Sequence, residues 1–197
     1  MRRLRALLAA LFATCCIADA AAFDPPASGT PVTASGTVQF AFTPGDAADA
    51  LLVGAIERAR RQILVQAYSF TYRRIAQALV AARRRGVDVR IIADREQSER
   101  APPSLVPELA ASGIPVFIDG EHDAAHNKVM VMDPDRADCA VVTGSYNFTF
   151  AAQHRNSENL LVLRGNPPLC AAFARDWHRH RAHAAPWPGN PAVESPR

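Results

Sequence analysis

The fold class predicted by this sequence is α/β: a sandwich around a mixed central sheet, with helices on both faces. Three observations predict it. Short runs with strand character alternate along the chain with longer segments whose apolar residues recur at helical spacing. Glycines such as Gly86 and Gly113 stand at the joints. The chain has 197 residues, and the part that follows its N-terminal segment is long enough for one domain with a real core.

Thr37 to Phe42 alternates as a strand does. Asp46 or Asp49 is placed to cap a helix in which Leu51, Leu52, Ala55, Ile56 and Ala59 share one face. Ile63 to Ala67 reads as a buried strand. Thr71 is expected to cap a second helix, with Ile75, Leu79 and Ala82 facing in and Gly86 as its stop. Val87 to Ala93 is the next strand. A short helix follows Ser104 and ends near Gly113, and Ile114 to Ile118 is a strand. Val129 to Met132 and Ala140 to Val142 read as a hairpin around Pro134-Asp135. Asn159 to Leu163 is a further strand. A last helix from about Pro168 to His183 buries Leu169, Phe173 and Trp177. The domain is thus expected over residues 37–183, with no internal repeat. Residues 184–197 form a Pro-rich tail, expected to be loose from Pro186 on.

Residues 1–22 read as a secretory signal peptide. Arg2, Arg3 and Arg5 form its charged start, and Leu4 to Ile17 is mostly apolar but short for a membrane span. Ala18-Asp19-Ala20 and Ala20-Ala21-Ala22 offer small-x-small cleavage sites. A retained anchor, or lipidation at Cys15 or Cys16, ranks below export to the periplasm or beyond. Residues 23–36, rich in Pro, Ser, Gly and Thr, form a flexible leader. Export removes three Arg and Asp19, taking the net charge from +3 to +1. Such a chain is not globally basic, so any polyanion site must be a local patch.

Cys139 and Cys170 remain after processing. Export permits a disulfide between them, and two buried free thiols are the alternative. Two cysteines without paired histidine spacing do not make a zinc site, and no metal and no cofactor is expected.

Of 22 basic residues only Lys128 is a lysine. A chain that uses arginine everywhere else marks Lys128 as a position where arginine does not serve. It lies in His126-Asn127-Lys128, with Asp133 after four more residues and Gly144-Ser145-Tyr146-Asn147 further on. Strand residues i and i+2 point the same way, so His126 and Lys128 can reach one pocket. Imidazole is a nucleophile or proton carrier near neutral pH, and an ammonium is a compact charge suited to a phosphate oxygen. Ser145 and Asn147 can donate to the same oxygens. Together these groups make a phosphate cradle with its own nucleophile. Each part alone has a plain reading as a loop histidine, a surface charge or a turn; the combination does not.

The H-x-K-x4-D pattern with G-S-x-N resembles the phospholipase D superfamily, and the chain is similar to its short, single-motif Nuc-type endonucleases. The resemblance spans roughly Val38 to His180. It includes Ala67-Tyr68-Ser69-Phe70-Thr71, Arg85-Gly86-Val87-Asp88-Val89, Ser112-Gly113-Ile114-Pro115, Asn147-Phe148-Thr149 and Asn156-Ser157-Glu158-Asn159. It implies a phospholipase D-like sandwich in which His126 forms a phosphohistidine and Lys128 and Asn147 hold the phosphate. Ser145 joins them, and Glu158 orients the histidine. It gives Asp133 and Gly144 supporting roles and sets Tyr68, Ser69 and Phe70 beside the substrate. It also implies a homodimer, because the family's active site needs two motifs and each chain carries one. One departure stands out. The family commonly has about six residues between the aspartate and the glycine; here ten separate Asp133 from Gly144. The extra residues fit a longer hairpin tip, Pro134 to Asp138, which would alter substrate access if it folded over the pocket.

The expectation is a metal-independent endonuclease acting on nucleic acid with little sequence preference. Arg73, Arg74 and Arg83 to Arg85 are candidates for a basic face along the backbone, or else a solvated helix face. A phospholipid phosphodiesterase would use the same residues. No long apolar lip or amphipathic membrane helix is visible, which favours nucleic acid and no stable membrane association. A non-catalytic binding protein would have a broken motif, and this one is intact.

Overall fold

The computed structural model describes Gly29, residues 31–100 and residues 103–190. The expected signal peptide, the first part of the leader and residues 191–197 lie outside them. In chain order the elements are β1 (Thr37–Thr43), α1 (Ala48–Arg58), β2 (Gln62–Ala67), α2 (Arg73–Arg84), β3 (Asp88–Asp94), α3 (Arg95–Glu99), α4 (Val106–Ala111), β4 (Val116–Asp119), β5 (Lys128–Met132), β6 (Ala140–Gly144), α5 (Phe150–His154), β7 (Glu158–Arg164), α6 (Pro167–His183) and β8 (Ala185–Pro186). The strands form one sheet in the order β1-β7-β6-β5-β2-β3-β4-β8. β2, β3 and β4 run parallel, and every other pairing is antiparallel, so the sheet is mixed as expected.

Side-chain alternation assigns the two faces. Ile63, Val65 and Ala67 of β2 pack with Leu52 and Ile56 of α1 and with Ile75 and Leu79 of α2. Leu64, one residue out of phase, packs on the other face with Cys170, Ala174 and Trp177 of α6. The Trp177 indole N–H donates to the Val65 carbonyl at 2.9 Å, so its one polar atom is satisfied inside the core. Among the described residues no helix is long and apolar enough to cross a membrane.

Two helix caps differ from expectation. α1 is preceded by Ala47 with no side-chain cap. The Asp46 carboxylate instead accepts from the Phe42 N–H, and Asp49, buried, accepts from the Tyr72 hydroxyl and Arg74. Thr71 does not cap α2; the cap position is Tyr72. The N–H groups of Thr71 and Tyr72, which precede the helix, both donate to the Phe148 carbonyl, so a tertiary contact fixes the entry to α2 while its first turn has no side-chain cap. Gly86, at φ 88°, ends α2 as anticipated.

The tail is less loose than expected at its start. β8 pairs with β4, and the Trp187 N–H donates to Val116. The end of the leader is also held, because Thr33 accepts from Asn166 and Ser35 donates to Gly165. Cys139 and Cys170 are joined, with Cα atoms 6.5 Å apart, which decides between the two readings of this pair. The bond fastens the β5–β6 hairpin to the start of α6.

Candidate functional site

Strand direction gathers the candidate residues on one rim of the sheet. β2 and β3 end there, β5 begins there beside Ala67, and β6 ends there at Gly144. Gly144 lies opposite Leu160, so Glu158 at the start of β7 reaches the same rim. Lys128 shares its parity with Met130 and Met132, and Glu158 with Leu160 and Val162, all on the face covered by α1 and α2.

Tyr68 organises the histidine and the lysine. Its N–H donates to the Asn127 carbonyl at 3.0 Å, pinning the H-x-K segment to the end of β2. Its ring lies 4.4 Å from the His126 imidazole between centroids, and the Lys128 ammonium sits 4.9 Å from the same ring centre. Gln97 of α3 donates to the Tyr68 hydroxyl at 3.3 Å. His126 is exposed, whereas Lys128 is only 8% exposed and donates to the His126 carbonyl at 2.6 Å. Burial pushes the Lys128 ammonium below its ordinary value of 10.5, and the Glu158 charge opposes that shift. An ammonium stripped of most of its water is a strong partner for an arriving phosphate oxygen.

The G-S-x-N segment docks beside it. Phe148 bridges Phe70, and their rings pack at 5.5 Å, which ties residues 145–149 to the end of β2. A Cβ on Gly144 would sit 2.3 Å from the Asn159 carbonyl oxygen, so only glycine fits where β6 turns off the sheet. The Ser145 oxygen accepts from the Asn159 N–H and side-chain amide, at 3.0 and 3.3 Å. Its own proton is thereby left to donate outward. Asn147 Oδ1 is buried without a hydrogen-bond partner among the described residues; it is an acceptor, so only the NH2 of this side chain can donate to a phosphate oxygen.

Glu158 accepts from Asn156 at 3.0 Å, and among the described residues no ion pair joins it to His126. Ser69 is half-buried on the Tyr68 segment. Phe70, expected beside the substrate, is a core side chain at 2% exposure, because its bridge to Phe148 turns it inward. Asp133 lies at the opposite rim, about 17 Å of strand away from Lys128. Its carboxylate accepts from the N–H groups of Arg60, Arg61 and Gln62 at 2.7–2.9 Å, anchoring the start of β2. The long hairpin tip is at that far rim too and does not fold over the site within the chain. A cleft of about 540 Å³ beside it is lined by Glu57, Arg60, Arg85, Asp133 and Asp138, away from His126.

The basic face expected on α2 is mostly accounted for. Arg73 pairs with Glu108 and Arg74 with Asp49. Arg83 to Arg85 lie at the end of the helix remote from His126, and Arg85 donates to Ile56 and Glu57 carbonyls.

A family model described as cardiolipin synthase, PLD-like domain, matches residues 52–181. The chain is 35% identical over 145 residues to a phospholipase D of Rickettsia typhi, covering 74% of this chain and 68% of that protein. It is 32% identical over 134 residues to the mitochondrial cardiolipin hydrolase of Xenopus laevis, covering 68% and 61% respectively. Its structure resembles that of Nuc from Salmonella typhimurium, a phospholipase D family member, with a TM-score of 0.72 and 38% identity over 77% of this chain and 97% of the other. NucT from Helicobacter pylori shares the fold, with a TM-score of 0.67 at 23% identity, over 77% of this chain and 99% of the other.

Proposed function

The chain belongs to the phospholipase D superfamily and is a phosphodiester hydrolase, and on that premise we propose that it is an exported endonuclease cleaving nucleic acid, DNA first, with little sequence preference. The observation that carries this reading is the joint packing of an exposed His126 and a buried Lys128 against Tyr68. His126 attacks phosphorus, the P–O bond to the leaving strand breaks, and a phosphohistidine forms. Lys128 and the Asn147 amide hold the non-bridging oxygens, and Ser145 donates a third bond. Glu158, whose charge acts on Lys128, orients the histidine in the assembled site. A second copy across a two-fold axis supplies another His126, which protonates the leaving oxygen and then takes a proton from the water that hydrolyses the intermediate. The nucleophile and the positive charge both come from side chains, so the chemistry requires no divalent cation. The exposed setting of His126, next in sequence to the exposed Asn127, suits a backbone phosphodiester lying along the surface.

One observation favours a phospholipid instead. Phe40 and Phe42 on edge strand β1 are 66% and 58% exposed, and Phe42 lies opposite Asn159, next to the Glu158 end of β7. Such a patch could meet acyl chains or a second subunit. Incubating wild type and His126→Ala with DNA, RNA and labelled phospholipid, with and without EDTA, separates the readings. Cleavage of nucleic acid by wild type alone, persisting in EDTA and not stimulated by Mg²⁺ or Ca²⁺, is the expected result. Release of headgroup with nucleic acid untouched would replace it with the lipid reading.

A further inference from the structure

We infer that Asp119, His122, His180 and His183 form a closed, four-ligand zinc site that braces the loop delivering His126. The site is separate from the phosphate cradle, and nothing in the cleavage chemistry requires it.

The residues come together for reasons of topology. Asp119 is the last residue of β4, and His122 is in the loop that follows. α6 starts at the far rim after β7 and ends at the active rim, so its last turn arrives beneath Asp119. His180 and His183, three residues apart, share one face of that turn. Asp119 Oδ2 lies 3.1 Å from His122 Nδ1, 3.2 Å from His180 Nδ1 and 3.2 Å from His183 Nε2. One ligand atom from each residue falls within 4.8 Å of the others.

These distances suit a bound metal as well as a hydrogen-bond cluster. A tetrahedral zinc with bonds of about 2.0–2.1 Å holds its ligand atoms roughly 3.3 Å apart along each edge. The three edges from Asp119 are already near that length, and the ring-to-ring edges, all within 4.8 Å, would close toward it on binding. Three ring nitrogens converge on one buried carboxylate, His122 Nδ1 lying 3.2 Å from Oδ1 as well as 3.1 Å from Oδ2, and such a convergent set of imidazoles and carboxylate is one that a cation gathers. The Asp119 side chain is fully buried, while His122 is 45% exposed and offers an entry path. Outer partners are present as well. Asp176 lies 3.8 Å from the far nitrogen of His180 and is itself held by Gln66, and Glu121 lies 3.8 Å from the far nitrogen of His183. Carboxylates behind ligand histidines fix ring orientation and raise ligand basicity. Three imidazoles and one carboxylate suit zinc, and not the all-oxygen preference of magnesium or calcium.

The consequence is positional. The segment from Gly120 to Asn127 joins β4 to β5 and carries His126. It is tied near its end by the Ala125 N–H donating to the Asp94 carboxylate at 2.9 Å. The metal would tie its beginning, leaving a short span in which His126 is presented. With four protein ligands there is no open position for substrate or water, which makes the ion structural.

The test uses the exported protein purified without chelator, then stripped and titrated with Co²⁺ as a spectroscopic stand-in for zinc. The account predicts about one zinc per chain as purified. It also predicts the intense visible absorption of tetrahedral cobalt, saturating at one equivalent and displaced by Zn²⁺. His183→Ala and, separately, His122→Ala should each weaken Zn²⁺ affinity about a hundredfold or more. His122 is the safer variant for folding because it is loop-borne and half-exposed, and His154→Ala, outside the cluster, should bind as wild type does. Absence of stoichiometric metal, a weak octahedral cobalt spectrum, or uptake indifferent to both substitutions would overturn the site.

Discussion

The His126 imidazole and the Tyr68 ring meet 4.4 Å apart at a tilt of 56°, and the Lys128 ammonium lies over the other reach of the same tyrosine. In the proposed mechanism Tyr68 therefore positions both groups. A cation–π contact of this kind is worth about 0.5–2 kcal/mol, or roughly two- to thirtyfold in rate. Tyr68→Ala should lower kcat within that range with a smaller effect on KM, whereas Tyr68→Phe, which keeps the ring, should stay within about threefold of wild type. Equal kcat for Ala and Phe would remove the ring from the account.

Lys128→Arg should lose about ten- to a hundredfold in kcat/KM, equivalent to ~1.4–3 kcal/mol, although the charge is kept. A guanidinium is broader than an ammonium and does not fit a nearly closed position over an aromatic ring. The pH profile follows from the same burial. Because desolvation lowers the Lys128 pKa, the alkaline limb of kcat/KM should fall at a pH below 10.5. The unfolded chain holds this proton at pH values where the folded chain has lost it, so protonated Lys128 works against folding at neutral pH. Lys128→Met should accordingly raise Tm by a few degrees while activity drops to background. A lowered Tm would show that the Glu158 charge and the hydrogen bond to the His126 carbonyl outweigh desolvation.

Asp133 should matter for stability and not for chemistry. Asp133→Ala leaves three backbone N–H groups without their acceptor and places a non-glycine, non-Asx residue at φ 50°, which should destabilise by about 3–5 kcal/mol. Asp133→Asn keeps one acceptor oxygen and tolerates that backbone, so its loss should be about half as large. Chemical denaturation gives the stability, and kcat per folded molecule should remain within about twofold of wild type. A selective loss of kcat would move Asp133 into the active site.

Most of the fold was legible because strand and helix periodicities were clean and one α/β pattern accommodates them. What escaped were features fixed by distant contacts. Thr71 looks like a cap in sequence, but it lies one residue before the cap position, where the Phe148 carbonyl holds its N–H. Phe70 sits in a motif with Tyr68 yet faces the core, because a bridge formed with a segment almost eighty residues away decides its direction. α3 and α5 span five residues each, too short for a periodic signal, although Asp94 and Thr149 cap them. The H-x-K and G-S-x-N residues were legible by spacing. The three histidines around Asp119 were not, since His122 and the His180–His183 pair lie far apart in sequence and only the docking of α6 beside the end of β4 joins them. The signal was present in the i, i+3 pair His180 and His183 on an expected helix.

The shared-site proposal has its own test. A tagged heterodimer of wild type and His126→Ala, purified from both homodimers, should turn over orders of magnitude more slowly than wild type. Its shared site would keep a single His126 and so lack either nucleophile or acid. Retention of half the activity, or full activity from a verified monomer, would mean that each chain works alone.

The central claim is a covalent intermediate on His126, and the stereochemistry at phosphorus tests it most directly. An oligonucleotide with a phosphorothioate of defined configuration at the scissile position is cleaved in ¹⁸O-water, and the configuration of the product is read. Two in-line displacements, first by His126 and then by water, each invert the centre, so the account predicts net retention. Net inversion would mean a single direct attack by water and would contradict the phosphohistidine mechanism.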